Sequence, residues 1–355
     1  LRHHFPNSWL EIDLNAVSEN VAILKKLNNN KKILAVVKSD AYGHGAVKCS
    51  KHLESMVDWF GVVSIDEGIE LRMGGIKKPI LVLGVPDAES AASYVTHNLT
   101  ATVSHIVHFS VLMDGTHYQL NFDTGMGRIG FKPSQADEVR KMALINSRLL
   151  CSGIYSHFAT SDHPDSDFVN IQLERFREIK EKFKEIPLSH ISNTGGLIYY
   201  DLNDFEMIRT GLGLWGFEPE GGKMTGIIPV QTWKSTLVQV KPVKKGEPVS
   251  YGSTWHAPSD GFIGTIPVGY ADGVPRNLSN KLEVASGGKM YRVAGTITMD
   301  FIMVWLEKDR PEIGTEVELM GRSSWNAKKW ADESGTISYE ILTGISGRVV
   351  RFYKD

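Results

Sequence analysis

Cysteine is nearly absent: the 355 residues contain two, Cys49 and Cys151. Two lone cysteines make neither a disulfide framework nor a zinc site, so a reducing compartment fits and no metal is expected. Long apolar runs are missing as well. None approaches the roughly 20 residues that a membrane span requires, so no membrane partner is expected. Concentrated positive charge is also lacking. The net charge is -2 and no basic block stands out, which argues against nucleic acid as a partner. No secretory signal, repeat or low-complexity tract is seen. A cytoplasmic location is expected, with export left open because the chain begins at Leu1 rather than Met.

What is present is enough apolar residue for a core, at 42%, and enough charge for solubility, at 23%. The length fits one large domain plus a smaller one. "LNAVSENVAILKKL" (14–27) carries apolar residues at helical spacing. "KILAVVK" follows as a buried strand rich in β-branched residues. Seven more strand candidates come after it, at 60–64, 79–84, 100–104, 118–123, 149–158, 187–193 and 206–211. Helical stretches at 66–73, 87–95, 133–145 and 169–186 separate several of them, the last with a stripe of Phe176, Ile179, Phe183 and Ile186. Strand–helix alternation repeated eight times predicts an α/β fold, a (β/α)8 TIM-type barrel. An open doubly wound sheet is the alternative. Near Gly226 the pattern changes to short β runs divided by Gly, Pro and Lys-Lys turns. This predicts a barrel over 1–226 and a mainly β C-terminal domain over 227–355, with the first ~12 residues free to pair with the β domain.

Active sites of such barrels lie at the C-terminal ends of the strands. There the sequence places Lys38, Asn121, Asp123, Arg128, His157, Asn193, Thr194 and Arg209. A lysine at a strand end commonly just marks the boundary with solvent. In a partly desolvated mouth near an arginine its pKa would fall from ~10.4, making a neutral amine available as a Schiff-base former or proton acceptor. The "YGHG" that follows supplies Tyr42 and glycines that let backbone N–H groups approach a ligand. "NFDTGMGRIG" reads either as a surface turn or as an arginine held to bind a carboxylate bidentately. His157 by itself reads as a satisfied core histidine, and Arg209 as a structural ion pair. "SNTGG" reads as a turn, an N-cap or an anion site. In the β domain, "PVGYADGVPR" presents Tyr270 and "TITMDF" presents Met299; both read equally as core and turn.

Taken in order, "AVVKSDAYGHG", "DTGMGRIG", "SHFATSD", "SNTGG", "IRTGLGLWG", "PVGYADG" and "TITMDF" resemble the alanine racemase family. The resemblance runs from "WLEIDLNAV" to the last strand. It implies pyridoxal 5'-phosphate as cofactor, a small amino acid as substrate and a homodimer with shared active sites. Lys38 would hold the cofactor through its amine. Tyr42, Thr194 and the backbone around Gly211 and Leu212 would bind its phosphate, and Asn193 would also belong to the cofactor site. His157 would lie on or beside the pyridine ring, and Arg209 would face the ring nitrogen. Because arginine does not give up its proton, that nitrogen would stay largely unprotonated. Arg128 would orient the substrate carboxylate. Tyr270 and Met299 would come from the other subunit, and Lys38 with Tyr270 would be the two catalytic bases. The product, D-alanine, would serve peptidoglycan.

Two positions depart from the family pattern. Asn121 stands where many members have a carbamylated lysine, so an anion site formed by Asn121 and Arg128 is expected in its place. Gly347 stands where a tyrosine usually gates the site, which leaves open a broad-specificity amino acid racemase that accepts serine. The other rivals are a decarboxylase using the same cofactor and a non-catalytic carrier of it. The decarboxylases usually put an acid where this chain has Arg209, and the carriers lack the second domain.

Overall fold

The computed structural model describes residues 7–219 and 226–355. The chain divides into two compact units, one of Val17–Ile228 and one of the N-terminal segment up to Ala16 with Pro229–Asp355. The strand β1 (Ser8–Asp13) belongs to the second.

Eight strands build the larger unit: β2 (Lys32–Val36), β3 (Trp59–Val62), β4 (Ile80–Val82), β5 (Thr100–Val103), β6 (His117–Asn121), β7 (Leu150–Tyr155), β8 (Ser189–His190) and β9 (Met207–Thr210). All their pairings are parallel, in the order β8-β7-β6-β5-β4-β3-β2-β9. The ring closes between its two ends. Glu206 N donates to Ser189 O at 3.1 Å and Arg209 N to Ser192 O at 3.3 Å, while the Glu206 carboxylate accepts from Ser189 N and Oγ. This is the barrel, not the open sheet. These strands are buried on both faces, which is why they read as near-continuous apolar runs rather than alternating ones.

Several helix ends differ from the sequence expectation for local reasons. The helix expected from residue 87 starts at Ala91. Ahead of it, Asp87 Oδ1 accepts from Ser90 N at 2.7 Å and closes a turn instead. Helix Asp167–Lys182 buries Phe176 and Ile179, but Ile186 lies beyond its end and is only half-buried. Leu27 ends its own helix 41% exposed, off the buried face of Val17, Val21 and Leu24.

In the smaller unit β1 sits inside a six-stranded sheet. It pairs antiparallel with Gln231–Thr236 and parallel with Val350–Lys354. A three-stranded sheet of Gln239–Val243, Gly261–Ile266 and Ile302–Trp305 packs Ile263 with Val243, Val249, Ala257 and Ala294. Two helices missed in the sequence, Ala327–Ser334 and Ser338–Thr343, interrupt the β pattern. The first carried a readable signal: Asn326 caps it by accepting from Lys329 N, and Gly335 ends it at φ 72°.

Candidate active site

Lys38 lies one residue beyond the end of β2; the residue between, Val37, donates its N–H to Gly61 O at 2.8 Å. The side chain is half-buried. Burial lowers its pKa, the positive charges of Arg128 and Arg209 lower it further, and Glu67 opposes them. The next residues are not the open glycine loop expected from the sequence. Ser39, Asp40, Ala41 and Tyr42 all have φ between 52° and 56°, a single left-handed helical turn made without glycine. Each such residue costs roughly 1–2 kcal/mol, so the turn exists only because its surroundings hold it. Ala41 N donates to Val37 O and Ala46 N to the Asp40 carboxylate. The His44 ring meets Ala41 O at 2.9 Å through Nδ1 and stacks on Trp215.

The turn delivers Tyr42 to Gly211. A Cβ at Gly211 would lie 2.3 Å from the Tyr42 hydroxyl, so only glycine fits. Burial raises the Tyr42 pKa and keeps the hydroxyl neutral. Thr194 comes in from the other side. Its Oγ1 accepts from Gly213 N at 3.2 Å and lies 3.2 Å from Thr210 Oγ1. Tyr42, Thr194, Gly211 and Leu212 therefore gather at one place. The Asn193 side chain is differently engaged: its Oδ1 accepts from Ser161 Oγ and Gly196 N, both at 2.8 Å, and caps the short helix Thr194–Tyr199.

Arg209 is buried and donates to five acceptors. These are Nδ1 of His190 at 2.7 Å, Nδ1 of His157 at 2.9 Å, and the carbonyls of Ser156, His190 and Ile191. Arginine has no acceptor, so both imidazoles must present a lone pair at Nδ1 and carry their proton on Nε2. The His190 proton then goes to Gln119 Oε1 at 2.7 Å. Burial brings the Arg209 pKa to about 10, which leaves it charged at neutral pH. Burial and the arginine charges push His157 down to about 3 and His190 well below the ordinary histidine value.

A stability prediction follows from these two histidines. In the unfolded chain each binds a proton below ~6.5, whereas in the native state each stays neutral to much lower pH. Between ~6.5 and about 3 the unfolded state holds more protons, so the stabilisation is complete above ~6.5 and is lost as pH falls. His157 removes about 1.4 kcal/mol per pH unit in that window, and His190 acts in the same direction. Thermal melts from pH 7.5 down to 5 should show a falling Tm, and His190→Gln should flatten the decline. An equally steep decline in the variant would show that other groups carry it.

A second polar chain lies beside the first. Thr102 Oγ1 donates to Val82 O at 2.6 Å, so the Tyr155 hydroxyl, 2.8 Å away, donates to Thr102. Asn121 hydrogen-bonds the same hydroxyl, and the Tyr155 ring stacks on His190 at 5.1 Å. Arg128 is exposed at the tip of 121–130. Asp123 Oδ1 gathers Gly125 N and Gly127 N there, and Phe131 N returns to Asn121 O. Gly130, at φ 129°, is required because a Cβ would strike Asp123 N at 2.5 Å.

In the smaller unit, Tyr270 N donates to Thr298 O and Ala271 N to Met299 O. Gly269 permits this contact: its Cβ would lie 2.3 Å from both carbonyl oxygens. Tyr270 and Met299 are thus neighbours, 42% and 53% exposed. Asp272 and Asp300 both pair with Arg348, and Ser346 N donates to Asp272 O, so Gly347 sits on the same loop cluster.

Residues 12–219 match the family model described as alanine racemase, N-terminal domain, and residues 230–353 the one for its C-terminal domain. This chain belongs to the alanine racemase family. The alanine racemase of Symbiobacterium thermophilum is 36% identical over 364 residues, covering 98% of this chain and 97% of that protein. Among solved structures, alanine racemase from the D-cycloserine producing Streptomyces lavendulae superposes with a TM-score of 0.90 at 33% identity, covering 99% of this chain and 98% of that one. That of Clostridium difficile gives 0.93 at 33% identity, covering 99% and 96%. Against this family frame, sequence reading missed Thr102, Gln119, Tyr155 and His190. Their signal was polar residues at alternate positions of strands buried on both faces. The bonds Tyr155–Thr102 and His190–Gln119 each skip a strand, which a barrel permits only across its interior.

Proposed function

We propose that this chain interconverts L-alanine and D-alanine with pyridoxal 5'-phosphate held at the barrel mouth. The observation that carries the reading is the joining of an amine of depressed pKa, Lys38, to a cradle of Tyr42, Thr194 and the backbone of Gly211 and Leu212. The cradle fits a phosphate: two hydroxyls and close-approaching backbone meet where a Cβ on Gly211 would close the space. Lys38 would hold the cofactor's aldehyde, Arg209 would face the ring nitrogen and His157 would lie against the ring. When bound, the cofactor draws electrons from the substrate Cα and acidifies its proton. Inverting that carbon then takes one base on each face. Lys38 serves one, and Tyr270 of a second copy serves the other. Met299 of that copy lines the substrate with it, and Arg128 binds the carboxylate. Arg209 stays charged and supplies no proton. Among the described residues its acceptors are two imidazoles and three backbone carbonyls, with no carboxylate, which speaks against the decarboxylase reading. The D-alanine would serve peptidoglycan.

A broader substrate range has its own support. A Cβ at Gly347 would meet nothing within 4 Å, so the position that usually carries the gating tyrosine holds no side chain here. Chiral chromatography of products from a panel of L-amino acids tests both readings. D-alanine alone favours narrow specificity, D-serine as well favours the broad one, and no D-isomer from any substrate rules out a racemase.

Asn121 cannot carry the charge of a carbamylated lysine. We place a chloride or similar anion beside it, balancing Arg128. Crystals grown in bromide should show an anomalous peak between the two residues, and a featureless map there would remove the anion site.

A further inference from the structure

One carboxylate outside the residues assigned above joins the ends of two barrel strands. Glu67 lies in the first turn of helix Ile65–Met73, just after β3. Its Oε1 accepts from Ser39 N at 2.6 Å, the residue after Lys38. Its Oε2 accepts from Val63 N at 2.7 Å and from Ser64 N at 3.3 Å. Ser64 Oγ in turn accepts from Glu67 N, completing a capping box. A capping box needs only the Ser64 part of this arrangement. The bond to Ser39 is extra, and it sits where the left-handed turn begins.

We propose that Glu67 is a positioning residue for Lys38, tying the end of the lysine's strand to the end of the next and holding the left-handed turn in place. This rests on the reading of Lys38 as the cofactor-binding amine. The physical need is clear from the backbone. Four consecutive residues at positive φ are held against a strong preference for the right-handed region. Toward its C-terminal end the turn is fastened by Asp40, His44 and the packing of Tyr42 on Gly211. Beside Lys38 it is fastened by Ala41 N to Val37 O and by Glu67. Without the carboxylate, Ser39 loses its charge-assisted bond, and the lysine's own backbone gains freedom. Glu67 also places a negative charge that acts on the amine against Arg128 and Arg209.

The test is hydrogen–deuterium exchange by mass spectrometry on the full chain, with Glu67→Ala, Glu67→Gln and Ser64→Ala. The amides of 37–45 should exchange at least about tenfold faster in Glu67→Ala. Those of 167–182, remote in sequence, should not change. Ser64→Ala, which removes the cap but leaves the carboxylate, should loosen 65–73 and leave 37–45 as in the parent. Should Glu67→Ala fail to fold, Glu67→Gln decides. It replaces one acceptor with a donor, and exchange in 37–45 should still rise at least about threefold. Unchanged exchange in 37–45 in the folded Glu67 variants overturns the proposal. Pyridoxal phosphate affinity, followed by absorbance, is the second readout and should weaken with the same ranking. Faster exchange in 37–45 in the Glu67 variants, together with a parent that binds no pyridoxal phosphate, would leave Glu67 as a clamp and remove the cofactor reading instead.

Discussion

Lys38→Ala should lose racemisation by at least about 10⁴-fold, because one substitution removes both the covalent anchor and a proton-transferring base. The lysine is suited to both tasks by its setting. Burial and the charges of Arg128 and Arg209 favour the neutral amine, which alone can attack an aldehyde or accept a proton. Fold loss is not expected, since the side chain is half-buried and the strand before it is held by backbone bonds. The check is chiral assay together with borohydride reduction in the presence of pyridoxal phosphate. In the parent, mass spectrometry should find the cofactor's mass on the peptide containing Lys38; in the variant it should find it on none. A variant still labelled elsewhere, or still active, would place the anchor on another amine.

Tyr270→Phe should lower racemisation by about 10²–10⁴-fold while sparing one half of the chemistry. Inversion needs a proton taken from one face and returned on the other. With Tyr270 gone, Lys38 can still remove and return a proton on its own face. Incubation in deuterated water should therefore exchange the Cα hydrogen of one enantiomer with retention, without forming the other. Equal loss of exchange for both enantiomers would mean that Tyr270 is not one of two bases. Mixing the two dead variants tests the shared site. If Tyr270 is contributed by the second copy, a hybrid of Lys38→Ala and Tyr270→Phe holds one intact site. Unfolding and refolding the mixture together should then restore about a quarter of parental activity in a symmetric dimer. No recovery would place Lys38 and Tyr270 of one copy in the same site.

The barrel was legible because its strands are buried on both faces and stand out as short β-branched runs between amphipathic helices. All eight strand expectations coincide with strands of the structure. The strand-end positions of Lys38, His157 and Arg209 were legible for the same reason. Less legible was everything that depends on neighbours far apart in sequence. "SDAYGHG" reads locally as a loop opened by glycines, yet four non-glycine residues take the left-handed conformation. Local preference opposes that turn; it forms because Glu67, Trp215 and Gly211 converge on it from other segments. His157 read alone as a core histidine, and only its bond to Arg209 assigns its tautomer and charge.

By itself, then, the sequence determined the strand–helix periodicity, the change to β patterning near Gly226, and the ordered motifs that mark the family. These are local quantities, set by the spacing of apolar side chains and by glycines at turns. The tertiary structure alone decided which polar groups share a proton inside the barrel, why Gly211 must lack a side chain, and which carboxylate steadies Lys38. Those are set by approaches of a few ångströms between residues that are distant in sequence, such as Tyr42 and Gly211, 169 positions apart, which the pairing of β9 with β2 brings together.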